Sequence, residues 1–296
     1  MPLTTEFTQR VAYHECDPQL IVRDSSYLRY MQEAAFIASA AAGYWQDRLI
    51  AMRRVWLIRE HQVDFLSPLR YGDQVRVITW VADFRRVRSR RAYEIRGRGI
   101  PGYTNEQTGD ERLAARAFTD WVFLDLDTGR PAVIPDEVGR AYLPEGAAGA
   151  AAQERERFPL LVAPPDAFHK RTCVQWRDLD SVGHVNNATY GDYIENAARQ
   201  ALAIRGWSPA RCTAAGFDLT TQQLRIEYRQ PALFNDILEI STWLAEVGPN
   251  TMMRHTTLRR VEDDELLVQA SARWGCVDSV ARRPSALPPA LVADLA

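Results

Sequence analysis

Apolar positions recur along this chain at two different periods, and the two periods alternate. Tyr190, Tyr193, Ile194, Ala197, Ala198 and Ala201 follow one another at three- and four-residue steps, which places them on one face of a helix. A polar, turn-forming stretch precedes them: Asp178, Asp180, Ser181, Gly183, His184, Asn186 and Asn187. Asn186 or Asn187 is suited to cap the helix, since a short amide oxygen can accept from the free N–H groups of the first turn. The helix is expected over residues 187–202. Elsewhere the step is two, as in Val75, Val77, Thr79 and Val81, the mark of a half-buried strand. By the same signs strands are expected at Arg10–Tyr13, Trp56–Phe65, Gln74–Phe84, Arg90–Gly97 and Arg112–Leu126. A second set is expected at Thr172–Trp176, Leu224–Tyr228, Ile237–Ala245, Thr251–Val261 and Leu266–Val277.

The pattern is duplicated. At an offset of 163 residues, ECDPQLIVRDSSYLRYMQEAA falls on DLDSVGHVNNATYGDYIENAA without a gap, so that Asp17 meets Asp180, Tyr27 meets Tyr190 and Tyr30 meets Tyr193. The same offset carries Gly43 onto Gly206, Pro68 onto Pro231, Asp73 onto Asp236 and Trp80 onto Trp243. Beyond about residue 110 the offset becomes 153, with Trp121 meeting Trp274 and Pro131 meeting Pro284. The first half therefore carries ten extra residues, placed in Gly97–Asp110. A period this long indicates a duplicated domain. Each half holds one helix and several antiparallel strands, which is an α+β fold. The helices are rich in Ala and Tyr, and small side chains let a curved sheet approach closely. Residues 1–135 are expected to form one domain and 171–296 the other. Residues 136–170, rich in Gly, Ala and Pro, read as a linker. Arg282–Ala296 reads as a segment lying on the surface.

Composition narrows the function. The net charge of −2 over 296 residues is unlike a nucleic-acid binder, which needs a basic excess. No run of about 18 apolar residues suggests a membrane span, and MPLTTEFTQR lacks an apolar signal core. Cys16, Cys173, Cys212 and Cys276 are dispersed, which suits a reduced, cytoplasmic setting. The five histidines suggest no metal site. Gly97-Arg98-Gly99-Ile100-Pro101-Gly102 fits GxGxxG in form, but a proline interrupts it and no helix follows.

The stretch DLDSVGHVNNATYGDYIE resembles the signature of hotdog-fold thioesterases, in which an antiparallel sheet wraps a long central helix. CDPQLIVRDSSYLRYMQEAA is similar to the matching stretch of 4-hydroxybenzoyl-CoA-type thioesterases. ITWVADFRRVRSRRAYEIRG, DWVFLDLDTGRPAVIPDEV and IEYRQPALFND resemble the two halves of the acyl-ACP thioesterase family, a tandem double hotdog. The resemblance implies hydrolysis of an acyl thioester carried on acyl carrier protein or CoA, with no cofactor. It implies catalytic roles for Asp180 and His184, and for Asp17 by analogy with the 4-hydroxybenzoyl-CoA-type enzymes. The plant enzymes carry an asparagine where Val182 stands and a Glu-Cys pair where Pro231-Ala232 stands, so those two roles have no matching side chain here.

Read as chemistry, Asp180 sits on a loop leading into a helix N-terminus, where backbone donors and a partial positive charge suit a developing oxyanion. It can act as general base or nucleophile; the bland alternative is an aspartate that organises its own turn. His184 can orient water or polarise the carbonyl, or hydrogen-bond to backbone. Asn186 and Asn187 serve first as cap and loop closure, and with Tyr190 they are the expected substrate contacts. Asp17 has the same placement, but Ile21 replaces the histidine and Arg23-Asp24 the two asparagines. Glu33 and Glu195 fall at non-equivalent helix positions, and Asp178 is expected to be solvated. Cys16 invites a nucleophile reading but needs a base or cation to lower its pKa. Arg85, Arg86, Arg88, Arg90, Arg91, Arg96 and Arg98 form a basic cluster, either a docking face for an acidic carrier or CoA phosphates, or the solvated face of an edge hairpin.

The two halves are expected to pair as a pseudo-dimer with the acyl chain between them, and a homo-oligomer is compatible with this. Two alternatives remain open: a hotdog dehydratase or related acyl-processing enzyme, and a non-catalytic acyl-binding module.

Overall fold

The computed structural model describes residues 1–100, 110–144 and 155–295. The chain divides into two compact units, Met1–Arg157 and Phe158–Ala296.

The first unit contains β1 (Thr4–Arg10), α1 (Asp24–Ala41), α2 (Gln46–Ala51), β2 (Arg54–Phe65), β3 (Gln74–Arg85), β4 (Arg88–Arg98), β5 (Arg112–Asp125) and α3 (Asp136–Tyr142). Its strands are antiparallel in the order β1-β3-β4-β5-β2. The second unit repeats this with β6 (Phe168–Cys173), α4 (Asn187–Ile204), α5 (Pro209–Ala214), β7 (Phe217–Tyr228), β8 (Ile237–Val247), β9 (Thr251–Arg260), β10 (Leu266–Asp278) and α6 (Pro289–Leu295). Its strand order is β6-β8-β9-β10-β7. Each unit is thus a sheet with one long helix, and the chain is a tandem double hotdog.

The core of each unit lies between its long helix and one sheet face. In α1 the buried stripe is Tyr27, Leu28, Tyr30, Met31, Ala34, Ala35 and Ala38; α4 buries Tyr190, Ile194, Ala197, Ala198, Ala201 and Leu202. Burying one such large apolar side chain stabilises by about 1.5–3 kcal/mol. The sheets bend at bulges that recur at the repeat offset: the register slips at Ala82 in β3 and Ala245 in β8, and at Arg59 in β2 and Gln222 in β7. A bulge adds twist and curvature. Left-handed backbone positions recur in the same way: Leu20 with Gly183, Gly43 with Gly206, Arg53 with Gly216, Gly72 with Asn235, and Gly129 with Arg282.

Four expectations are corrected. The first strand of each unit lies earlier than predicted: β1 ends at Arg10, and Tyr13–Glu15 and Trp176–Asp178 are short 3-10 turns. β1 and β6 are edge strands with no fully buried residue, so backbone pairing rather than an apolar pattern holds them. β7 starts at Phe217, ahead of the expected Leu224, because Thr220–Gln223 is polar. The expected surface segment Arg282–Ala296 contains α6, which buries Leu291 and Leu295. The expected linker 136–170 begins with α3, the repeat mate of α6. There Val138 and Tyr142 join Tyr44, Leu49, Val81, Phe123 and Leu143 in the first unit's core. Later in the same stretch Gln269 fixes the chain to the second unit, accepting from the Leu161 N–H and donating to the Pro159 carbonyl. Of the ten extra residues, positions 101–109 lie outside the described residues; Gly97 and Arg98 end β4.

Candidate active site

The polar loop of the second unit is built bond by bond from its sequence. Asp178, expected to be solvated, accepts at Oδ2 from the Gln175 N–H at 2.8 Å and from the Tyr193 hydroxyl at 2.7 Å. Burial and this carboxylate push the Tyr193 phenol well above its usual range. The chain then pinches at a bridge between Leu179 and Val185. Inside the pinch the Asp180 N–H donates to the His184 carbonyl at 2.9 Å, and the Gly183 N–H to the Asp180 carbonyl at 3.0 Å. Gly183 has φ +81°, the conformation that closes this turn. Asp180 is half-buried, and its Oδ1 accepts from the Val182 N–H at 3.0 Å. Its Oδ2 makes no hydrogen bond to a described residue.

The turn leads straight into α4. Asn186 is the N-cap, its side chain accepting from the Ala188 N–H at 2.9 Å, while its carbonyl accepts from Thr189. The Asn187 N–H is taken by neither, so the helix start keeps an unused donor from the cap beside the Asp180 turn. Tyr190 is buried against Tyr193 and Tyr228. Its hydroxyl accepts from the Ala232 N–H at 3.0 Å, and the Ala232 carbonyl accepts from Val185. Tyr190 therefore ties the helix to the turn after β7 and to the loop, a role the sequence did not reveal. The Tyr228 hydroxyl donates to the Asn187 carbonyl at 3.0 Å.

Asp180 and His184 lie at the two ends of one five-residue turn and are joined through backbone. No hydrogen bond links the carboxylate to the imidazole among the described residues. Val182 and Gly183 are exposed between them. Trp176 (77 % exposed), at the start of the loop, stands edge-on to Phe234 of the turn after β7 at 5.9 Å.

The first unit reproduces this frame at the repeat offset. The Asp17 N–H donates to the Ile21 carbonyl, Val22 to Leu69, and Arg23 to Glu15, matching Asp180–His184, Val185–Ala232 and Asn186–Asp178. Tyr27 accepts from the Leu69 N–H as Tyr190 does from Ala232. Asp17 is half-buried and spends Oδ1 on the N–H groups of Gln19 and Ile21, both at 2.9 Å. Where the second unit has histidine and a capping asparagine, this loop has Ile21 and Arg23, and α1 starts without a side-chain cap. Cys16 is buried, and burial with help from Asp17 and Glu15 pushes its thiol up to about 11; it is a neutral filler at neutral pH. Glu195 pairs with Arg199 at 3.7 Å, and Glu33 is exposed on α1.

The arginine cluster is neither a single docking face nor an edge hairpin, because β4 is an inner strand. Arg90 makes a bidentate bond to buried Asp120, Arg96 pairs with Glu94, and Arg98 donates to Gln74, while Arg91 is buried on the opposite face from Arg90. No three His, Cys, Asp or Glu side chains gather as a metal site among the described residues, and no described helix is long and apolar enough to cross a membrane.

The sequence model of the Thioesterase-like superfamily matches residues 11–142 and 174–295, once in each unit. The chain belongs to this superfamily. It is 26 % identical over 257 residues to a chloroplastic acyl-[acyl-carrier-protein] hydrolase of Cuphea viscosissima, covering 83 % of this chain and 57 % of the plant protein. The chain thus spans little more than half the length of that relative. An acyl-CoA thioester hydrolase of Escherichia coli is 32 % identical over 126 residues, covering 41 % of this chain and 90 % of its own. Among solved structures, the 12:0-ACP thioesterase of Umbellularia californica superposes with a TM-score of 0.70 at 18 % identity, covering 95 % and 98 % of the two chains. An acyl-ACP thioesterase of Bacteroides thetaiotaomicron gives 0.67 at 14 % identity, covering 92 % and 97 %. These two likenesses establish the same double-hotdog fold.

Proposed function

We propose that this chain is a thioesterase that hydrolyses an acyl thioester, carried on acyl carrier protein or CoA, to the free acid and thiol. The observation that carries the reading is the Asp180 turn: a half-buried carboxylate with one oxygen fixed by Val182 and the other unbonded, at the start of an 18-residue helix. The relatives named above, two of them hydrolases of acyl-ACP and acyl-CoA, support the substrate class.

In the proposed reaction Asp180 takes a proton from water as that water attacks the thioester carbonyl. The developing oxyanion meets the positive end of α4 and the N–H of Asn187. Collapse breaks the C–S bond, and the proton passes to the departing thiolate. His184 orients the water or the carbonyl. Asn186 and Tyr190 hold the loop against the helix, and Asn187 offers backbone to the substrate. Asp17 lies in the same frame without imidazole or cap, and we assign it the lesser role. The four cysteines are free thiols, in keeping with a reducing cytoplasmic setting.

The test is Asp180→Asn, assayed for thiol release from acyl-ACP and acyl-CoA. Asparagine keeps the acceptor that Val182 uses, so the fold should stand while turnover falls by about 10²–10⁴. Unchanged turnover in a folded variant would remove the assignment.

A further inference from the structure

The surface around the second unit's loop is apolar where the fold does not require it. Trp176, Val182, Leu233, Phe234 and Ile237 are all exposed, from 43 % for Ile237 to 77 % for Trp176. They share one neighbourhood. Trp176 stands against Phe234, Ile237 is paired with Cys173 at the end of β6, and Val182 lies inside the Asp180–His184 turn. Backbone bonds join these segments: the Val174 carbonyl accepts from Asn235, its N–H donates to Asp236, and the Val185 N–H donates to Ala232. The turn after β7 thus meets the loop at both ends, and the Asp180 turn lies between the two anchors.

The first unit is an internal control. Its loop repeats the aromatic pair, with Tyr13 edge-on to Tyr71 at 5.6 Å. It does not repeat the rest: Val182, Leu233 and Ile237 become Gln19, Arg70 and Gln74. A hotdog unit of this chain therefore folds with a polar rim at this point. Of the two loops, the one with the imidazole and the asparagine cap has the apolar rim. Exposed apolar side chains gathered in one place mark a surface that meets something else.

What meets it follows from the shape of an acyl thioester, which has two halves. The acyl half is apolar and gains by leaving water. The thiol half ends in a protein or a nucleotide, too large to enter a hotdog unit, so it must run over the surface to the reacting carbon. In acyl-ACP and acyl-CoA alike that half is a phosphopantetheine arm: two flat amides, a dimethyl carbon and then phosphate. Extended, the arm is about as long as five residues of chain. Four residues separate Trp176 from Asp180. An arm whose thioester lies at Asp180 is therefore long enough to cross the aromatic pair. Arg177, exposed next to Trp176, offers a cation to its phosphate.

We infer that Trp176 and Phe234, with Leu233, Ile237 and Arg177 around them, form the subsite for the phosphopantetheine arm of the substrate. The rings offer faces to the amides and to the dimethyl carbon. Binding there, away from the reacting carbon, holds the thioester at Asp180. The inference rests on the thioesterase reading for what the ligand is, and on the apolar rim for where its arm lies.

The test varies the arm at one acyl group, the best used of octanoyl, palmitoyl and benzoyl. Four esters are compared: N-acetylcysteamine, which keeps one amide of the arm; pantetheine, the arm without phosphate; CoA; and acyl carrier protein. Wild type should use the pantetheine ester with a kcat/KM about tenfold or more above that of the N-acetylcysteamine ester. Trp176→Ala with Phe234→Ala should bring that ratio to near one. Should the double variant not fold, Trp176→Ala alone reads the same ratio. The CoA and carrier-protein esters should both lose, because the arm is common to them; a loss confined to the carrier-protein ester would overturn the inference in favour of the carrier's own surface. Arg177→Gln should lower both relative to the pantetheine ester by about threefold, and no such change would take the arginine out of the subsite. A ratio near one in wild type, or a ratio untouched in the folded double variant, would overturn the inference and leave the pair as a staple between loop and turn. If no ester is hydrolysed, the catalytic reading falls and calorimetry with free 4′-phosphopantetheine decides the subsite by itself. Binding by wild type that weakens about tenfold in the double variant supports it; equal binding, or none, overturns it.

Discussion

Leu20 and Gly183 occupy the same point of two loops 163 residues apart, and both have left-handed backbone, with φ +61° and +81°. Only glycine takes this conformation without a steric cost, which is about 1–2 kcal/mol for other residues. Leu20 is 44 % exposed, so its side chain returns little by burial. Leu20→Gly should raise stability by about 0.5–1 kcal/mol once the looser unfolded chain is counted. Gly183→Ala should lower it by a similar amount through backbone strain alone, because a Cβ there meets nothing within 4 Å. Urea unfolding of both variants checks the pair.

Asp17 and Asp180 share a backbone frame but not its surroundings. Both carboxylates leave Oδ2 unbonded among the described residues, so the difference is imidazole and cap; if these matter together, Asp17→Asn should change kcat by less than about tenfold where Asp180→Asn costs at least a hundredfold. Steady-state thiol release on one substrate decides it. Equal losses would make both loops active.

A buried cluster of ions lies on the outer face of the first unit's sheet. Arg155 is paired with Asp83 and lies 3.5 Å from Asp120, which Arg90 already holds by two 2.8 Å bonds. All four side chains are largely buried. Arg155→Met would leave Asp83 with Arg85 alone, 3.9 Å away, and should cost about 3–5 kcal/mol. Adding Asp83→Asn should recover part of the loss, a coupling that a double-mutant cycle in urea measures.

His61 sets a pH dependence. Burial lowers its pKa from 6.5 to about 3, so the folded protein holds it neutral. Between those values the unfolded chain binds a proton that the folded chain refuses. Stability from this group is full above about pH 6.5 and falls as pH drops toward 3, by about 1.4 kcal/mol per unit. His61→Leu, matching Leu224, should flatten the slope of unfolding free energy between pH 6 and 4.

The sequence showed the duplication, the long helices and most inner strands, because each carries a clear period. It hid β1 and β6, whose edge positions bury no whole residue. It also hid the split of the arginine cluster. Arg90 and Arg91 are neighbours in the sequence and look like one basic run, yet consecutive residues of a strand point to opposite faces. One closes an ion pair with Asp120 and the other lies over Tyr142. At the candidate site the loop and its cap were legible from DLDSVGHVNN. The backbone bond that closes the turn between Asp180 and His184 was not, since it depends on which groups the turn spends on itself.

The matched bonds of the two loops make them interchangeable parts. Leu20→Gly, Ile21→His, Arg23→Asn and Asp24→Asn would transplant the second loop's chemistry into the first, with Val22 and Tyr27 still anchored to Leu69 as Val185 and Tyr190 are to Ala232. On the proposed reading, a chain with two like sites is four codons away from the present one.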